Sequence, residues 1–175
     1  MLTCRSYAEA YAHRATAVRL LLRASPDVAC ANLMCEHVGG GCACRLSLAL
    51  ERMPLLEHID VRGNGLPALP APIFAPPRLR VLRAAGNALR ALPLPPAAAA
   101  ACAQLAALDL AGNALQELPL EALAALPALR WLHVAGNPLS PRAAAALAAH
   151  PRLWRAAQDG ESWAAQAEAQ EPELL

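Results

Sequence analysis

Four cysteines and a histidine, Cys30, Cys35, His37, Cys42 and Cys44, fall within fifteen residues. They are the densest group of soft ligands in the chain. A zinc site takes four such ligands, usually in paired short spacings. Here the count fits and the spacing does not: Cys42 and Cys44 are one residue closer than the usual knuckle, and four residues separate Cys30 from Cys35. In an oxidising compartment disulfides are a second option. The third reading gives Cys30 a core slot and leaves the others as small loop residues. It is the expectation carried forward, with no resident metal and no cofactor.

Other chemistry finds less support. The run Gly39, Gly40, Gly41 lacks the lysine and hydroxyl residue of a phosphate-binding loop, and reads as a turn. The histidines at 13, 37, 58, 133 and 150 are scattered, and no Gly-x-Ser-x-Gly elbow is present. His58 and His133 fall on the first and last of four similar segments, which as strands would stand roughly 14 Å apart. They cannot serve one bond. An enzyme is not expected.

The 175 residues suit one domain able to bury a core. Hydrophobic residues make up 57%, aromatics only 3%, so leucine and alanine must fill the interior. Every basic residue is arginine, and the net charge of +1 marks no strongly electrostatic partner such as duplex nucleic acid. No apolar run is long enough for a membrane span. The N-terminus sets Arg5, Arg14, Arg19 and Arg23 against the single acid Glu9. That composition suits a mitochondrial transit peptide, or a capping helix with Ala17, Leu20 and Leu21 facing the core, the preferred reading for a chain expected inside the cell.

The elements that would position any site come from an internal repeat. Four segments align on one template: Leu56, Ile59, Val61, Asn64 and Leu66; Leu79, Leu82, Ala84, Asn87 and Leu89; Leu105, Leu108, Leu110, Asn113 and Leu115; Leu129, Leu132, Val134, Asn137 and Leu139. Their asparagines lie 23, 26 and 24 residues apart. Leu-Pro pairs follow the first three at Leu69-Pro70, Leu92-Pro93 and Leu118-Pro119, turning the chain after those segments.

The pattern resembles the leucine-rich-repeat family, of the short repeat type, from Leu55 to Leu139 at least. The resemblance implies an α/β solenoid of about four to five coils, with a short parallel sheet and helical N- and C-terminal caps. It also implies that Asn64, Asn87, Asn113 and Asn137 form a ladder of side-chain bonds to neighbouring backbone. One coil cannot bury its own leucine face, so stacking supplies the stability. Upstream, Asp27 to Leu33 reads as a degenerate strand with Val28 and Cys30 inward. With Leu46–Met53 as a helix it resembles the longer repeat of the ribonuclease-inhibitor subtype. Downstream, Ser140 and Pro141 signal a helix start, with Leu153 and Trp154 covering the last coil. A further helix runs to Gln170 and frays at 171–173. The expected division is 1–54 cap and degenerate repeat, 55–139 repeats, 140–175 cap and tail.

Binding should then fall on the outward strand residues. One column reads Asp60, Arg83, Asp109, His133, where charges can pair laterally. The next reads His58, Val81, Ala107, Trp131, and the third, beginning at Arg62, is otherwise alanine. Trp131 is the expected hot spot unless it packs on the C-terminal cap, and Arg130 flanks it. Five strands give a face about 20 Å wide, below the roughly 800 Å² per partner of a standard interface. The expected function is a non-catalytic protein–protein interaction module, an accessory or scaffolding subunit of a larger complex. Alternatives are a regulatory adaptor with a zinc- or disulfide-stabilised N-terminal cap, and an RNA-associated organellar protein using Arg14, Arg19, Arg23, Arg78, Arg80 and Arg83.

Overall fold

A computed structural model describes residues 2–30, 35, 39–94 and 102–170, without the side chains of 161 and 164–170. Its organising element is a six-stranded, wholly parallel sheet: β1 (Thr3–Cys4), β2 (Arg19–Leu21), β3 (His58–Asp60), β4 (Val81–Arg83), β5 (Ala107–Asp109) and β6 (Trp131–His133), in chain order. The helices are α1 (Tyr7–Ala12), α2 (Cys44–Leu50), α3 (Leu120–Ala124), α4 (Pro141–Ala148) and α5 (Pro151–Gln170). The architecture is α/β and solenoid-like.

The template explains the sheet. Leu20, Ile59, Leu82, Leu108 and Leu132 occupy one register row and are all inward, none more than 1% exposed. Val61, Ala84 and Leu110, two residues on, are fully buried below them, as the period-two alternation of a strand requires. Each asparagine then ties its coil to the one before. Asn87 Nδ2 donates to Val61 O and Ala84 O, and its Oδ1 accepts from the amides of Asn64 and Leu66. Asn113 bridges Ala84 O and Leu110 O, and Asn137 bridges Leu110 O and Val134 O. Asn64 does the same for Leu22 O and Val61 O. These bonds satisfy backbone groups that a turn would otherwise bury unpaired.

Upstream, the sheet departs from the expected reading. The stretch expected as a degenerate strand holds a 3₁₀ turn at Pro26–Val28 and an isolated antiparallel bridge from Ala29 to Gly41; residues 31–33 lie outside the described residues. The strand before β3 is β2, with Arg19 opposite His58, 39 positions on. Leu20 and Leu21, expected in a capping helix, are therefore strand; α1 is confined to Tyr7–Ala12. The physical reason is that Ala24 and Ser25 stand where later coils have Gly and Asn. Ser25 still receives the ladder bond, its amide donating to Asn64 Oδ1 at 2.8 Å. The helical expectation at 46–53 corresponds to α2.

At the other end Ser140 caps α4, its hydroxyl accepting from Ala143 N at 3.0 Å, with Pro141 in the first turn. Leu153 is fully buried, whereas Trp154, expected beside it, points to solvent at 43% exposure. The helix period puts Ala156 and Gly160, not position 154, on the inner face of α5 with Leu153. Helix α5 reaches Gln170; the expected fraying at 171–173 lies outside the described residues.

Candidate docking surface

The expected columns are real rows of the sheet: His58, Val81, Ala107 and Trp131 are register partners, as are Asp60, Arg83, Asp109 and His133. Their exposure differs from the expectation. Asp60, Arg62 and Asp109 are only 5–6% exposed. Asp60 is gripped by Arg62 in the turn that follows β3, with Nη2 to Oδ2 at 2.6 Å and Nε to Oδ1 at 3.0 Å, while the Arg62 amide donates to Oδ1. Asp109 Oδ1 faces His133 Nδ1 at 3.1 Å and accepts the Ala111 amide. Burial raises the Asp109 pKa above its ordinary value, with the Ala111 amide, His133 and Arg62 opposing. These three residues are therefore buried and engaged within the chain, Asp60 with Arg62 and Asp109 with His133 and the Ala111 amide, before a partner arrives.

The second difference comes from α5. Gly160 lies against the outer backbone of β6: a Cβ there would stand 2.5 Å from Leu132 O and 2.8 Å from Leu132 N. The helix thus covers the open edge of the sheet. One turn further on, Trp163 folds over the concave face and stacks on Trp131, ring centroids 6.1 Å apart. The Arg83 guanidinium sits 5.2 Å from the same Trp163 ring, an attractive cation–π geometry. Ala107, between Arg83 and Trp131 in the sheet, is wholly buried. Trp131 thus packs on the C-terminal helix, the alternative to a free hot spot; the place of Gly160 on the β6 edge has no signal in the sequence.

What stays open is the N-terminal rim of the strands. A shallow groove there is lined by Arg80, Gln104, Pro127, Arg130 and Trp131. Arg80, Gln104 and Arg130 are exposed, and Trp131 is half-buried. The neighbouring His58 is half-buried; burial lowers its pKa, the charges of Arg19, Arg83 and Arg80 push the same way, and Glu57 opposes. The rim and the adjoining concave face are consequently cationic.

Residues 77–139 match the family model described as leucine rich repeat. This stretch belongs to the leucine-rich-repeat family. Among curated proteins none matches the chain. Leucine-rich repeats generally mediate protein–protein interaction and are typically non-enzymatic. Among the described residues no helix is long and apolar enough to cross a membrane.

The leucine-rich repeats also set the stage for the cysteine group, which lies on the loop before α2. The thiols of Cys30, Cys35 and Cys42 are all within 4.8 Å of one another. Cys44 Sγ is 2.9 Å from Cys42 Sγ. His37 lies outside the described residues.

Proposed function

We propose that the chain is a non-catalytic protein-interaction module, an accessory or scaffolding subunit of a larger complex, and that its partner presents a slim acidic segment. The observation that carries this reading is the pairing of Arg80 and Arg130 with Trp131 in the open rim groove, with His58 and Arg19 further along the same sheet row, while Asp60 and Asp109 are buried against partners within the chain. Aromatic and arginine anchors of this kind dominate interface energies, and a one-sign groove steers an oppositely charged segment. The small width of the surface, narrowed further by Trp163, favours an extended segment over a broad globular face.

Affinity purification from the native source with the Arg80→Glu/Arg130→Glu double variant tests it. Both side chains are exposed, so the fold should survive. Partner recovery should collapse, and Trp131→Ala should weaken binding by more than about 2 kcal/mol. Undiminished recovery of the same partners by the double variant would remove the rim from the interface. Loss of the partners after ribonuclease treatment would replace a protein ligand with RNA.

A further inference from the structure

We propose that Cys30, Cys35, Cys42 and Cys44 hold one zinc ion in a four-thiolate site that staples the loop before α2 to the first regular coil.

The sequence spacing argued against such a site because it assumes knuckle pairs. The fold assembles the ligands another way. Ala29 and Gly41 form an antiparallel bridge. Around it the Cys30 amide donates to Gly40 O at 2.8 Å, the Gly39 amide to Cys30 O at 2.8 Å, and the Cys42 amide to Val28 O at 3.0 Å. This short ribbon sets Cys30 and Cys42 close together, and Cys35 Sγ lies against the same pair. In tetrahedral coordination with Zn–S near 2.3 Å, neighbouring sulfurs stand about 3.8 Å apart. Cys35 Sγ and Cys42 Sγ are separated by 3.8 Å. The three thiols of Cys30, Cys35 and Cys42 thus already mark three corners around one point; exposed Cys44, its Sγ 2.9 Å from Cys42 Sγ and outside that group, takes the fourth corner by a shift of its side chain at the start of α2.

One further detail suits a thiolate: the Cys44 amide points at Cys42 Sγ, 3.4 Å away, an N–H that stabilises negative charge on sulfur. Zinc is the metal class that soft sulfur ligands in a closed tetrahedral set select, and binding displaces the thiol protons. A disulfide uses two of the four sulfurs and leaves the other two crowded against it.

The loop has a reason to be stapled. From β2 to α2 it runs 22 residues, of which the described part offers only a 3₁₀ turn and the one bridge. Loops longer than about 12–15 residues with so little structure of their own are uncommon. Beyond Leu22 at its very start, its described core contribution is Val28 plus the sulfur group itself. Gly41 fits it directly against the repeat: a Cβ there would overlap the Asn64 carbonyl oxygen and come within 2.9 Å of Gly65. The metal site therefore sits one residue from the contact between loop and first ladder asparagine, and its binding energy would be folding energy for that junction.

The test uses the full chain, reduced and stripped with a chelator, then titrated with Zn²⁺ against a chromophoric competitor. One equivalent should bind. Cobalt substitution should give the visible absorption of a tetrahedral thiolate complex, and X-ray absorption of the zinc form should show sulfur at about 2.3 Å. Zn²⁺ should slow tryptic cleavage at Arg23 and Arg45. Cys30→Ser, Cys35→Ser, Cys42→Ser and Cys44→Ser should each lower affinity at least about a hundredfold, the upper end of what even a supporting residue costs. Cys4→Ser and Cys102→Ser should not. The wild-type titration stands even if a buried variant misfolds. No stoichiometric zinc, thiols at Cys30, Cys35, Cys42 and Cys44 that react as fast with zinc as without it, or unchanged affinity in Cys44→Ser would each overturn the four-thiolate assignment. None of these outcomes bears on the partner rim, which rests on different residues.

Discussion

Trp163 of α5 stacks on Trp131 of β6, the ring planes inclined by only 19°. The two residues are 32 positions apart in a chain with three tryptophans, and the stack closes a circuit. The last strand of the sheet is covered on its edge by Gly160 and on its concave face by Trp163. Arg152, at the start of the same helix, donates to the Ala124 and Leu126 carbonyls at the end of α3. Helix α5 thereby runs from one side of the terminal coil to the other. Trp131 is left with one face on its own chain and an edge on the rim groove, so the helix determines how much of the concave sheet a partner can reach.

Gly160→Ala tests how closely α5 is seated. In an ordinary helix this change stabilises by about 1 kcal/mol, because glycine is a poor helix former. Here the added methyl meets Leu132 O at 2.5 Å and Leu132 N at 2.8 Å, both backbone atoms that cannot swing aside. Overpacking of this kind costs about 1–3 kcal/mol. The net effect should be a loss of up to about 2 kcal/mol, or as much as a few degrees in Tm, together with a red shift of tryptophan fluorescence as Trp163 leaves Trp131. A raised Tm with unchanged fluorescence would mean that α5 does not rest on the β6 edge.

His58 gives a pH signature. It is half-buried on β3, and its pKa is lowered from 6.5 first by burial and then by Arg19 on β2 and by Arg83 and Arg80 at β4, with Glu57 on its own segment opposing. A lowered value in the folded state means that the unfolded chain takes up this proton first. The contribution is therefore complete above pH 6.5 and is lost as pH falls through the folded value. Chemical denaturation between pH 7.5 and 5 should show stability falling more steeply in the wild type than in His58→Asn. Parallel slopes would show that His58 does not titrate differently in the two states.

The distinction between what the sequence revealed and what it hid follows the locality of the signals. Ile59, Leu82, Leu108 and Leu132 repeat with their asparagines within a dozen residues, so strand, inward face and ladder were all readable. The β2 coil has the same geometry with Leu20 and Leu22 inward, but Ala24 and Ser25 replace the two most diagnostic residues, and 39 positions separate it from β3. The rows of outward residues were also legible, because register follows from alignment. Their burial was not. Asp60 ends β3 and Arg62 lies two positions on, in the turn, and only side-chain geometry shows that they face each other. Trp163 and Gly160 lie beyond the repeats, where no periodicity says over which edge a helix folds.

Ala24 itself is the most economical place to ask whether the β2 coil is a true member of the repeat. It holds φ at +43°, the only described residue other than glycine in left-handed backbone. The corresponding turn positions are Gly63, Gly86, Gly112 and Gly136, with φ between +60° and +69°. For a residue with a Cβ that conformation costs roughly 1–2 kcal/mol, because the Cβ crowds the following carbonyl. Ala24→Gly removes this strain, and gives back about 0.4–1 kcal/mol through the freer unfolded chain. The variant should gain about 0.5–1 kcal/mol, a rise of about 2 °C in Tm. Ala85→Gly, outside the left-handed region, should instead lose about 0.5–1 kcal/mol. If both glycine variants lost stability alike, residue 24 would not be held in the repeat's turn, and β2 would not carry the same coil as β3.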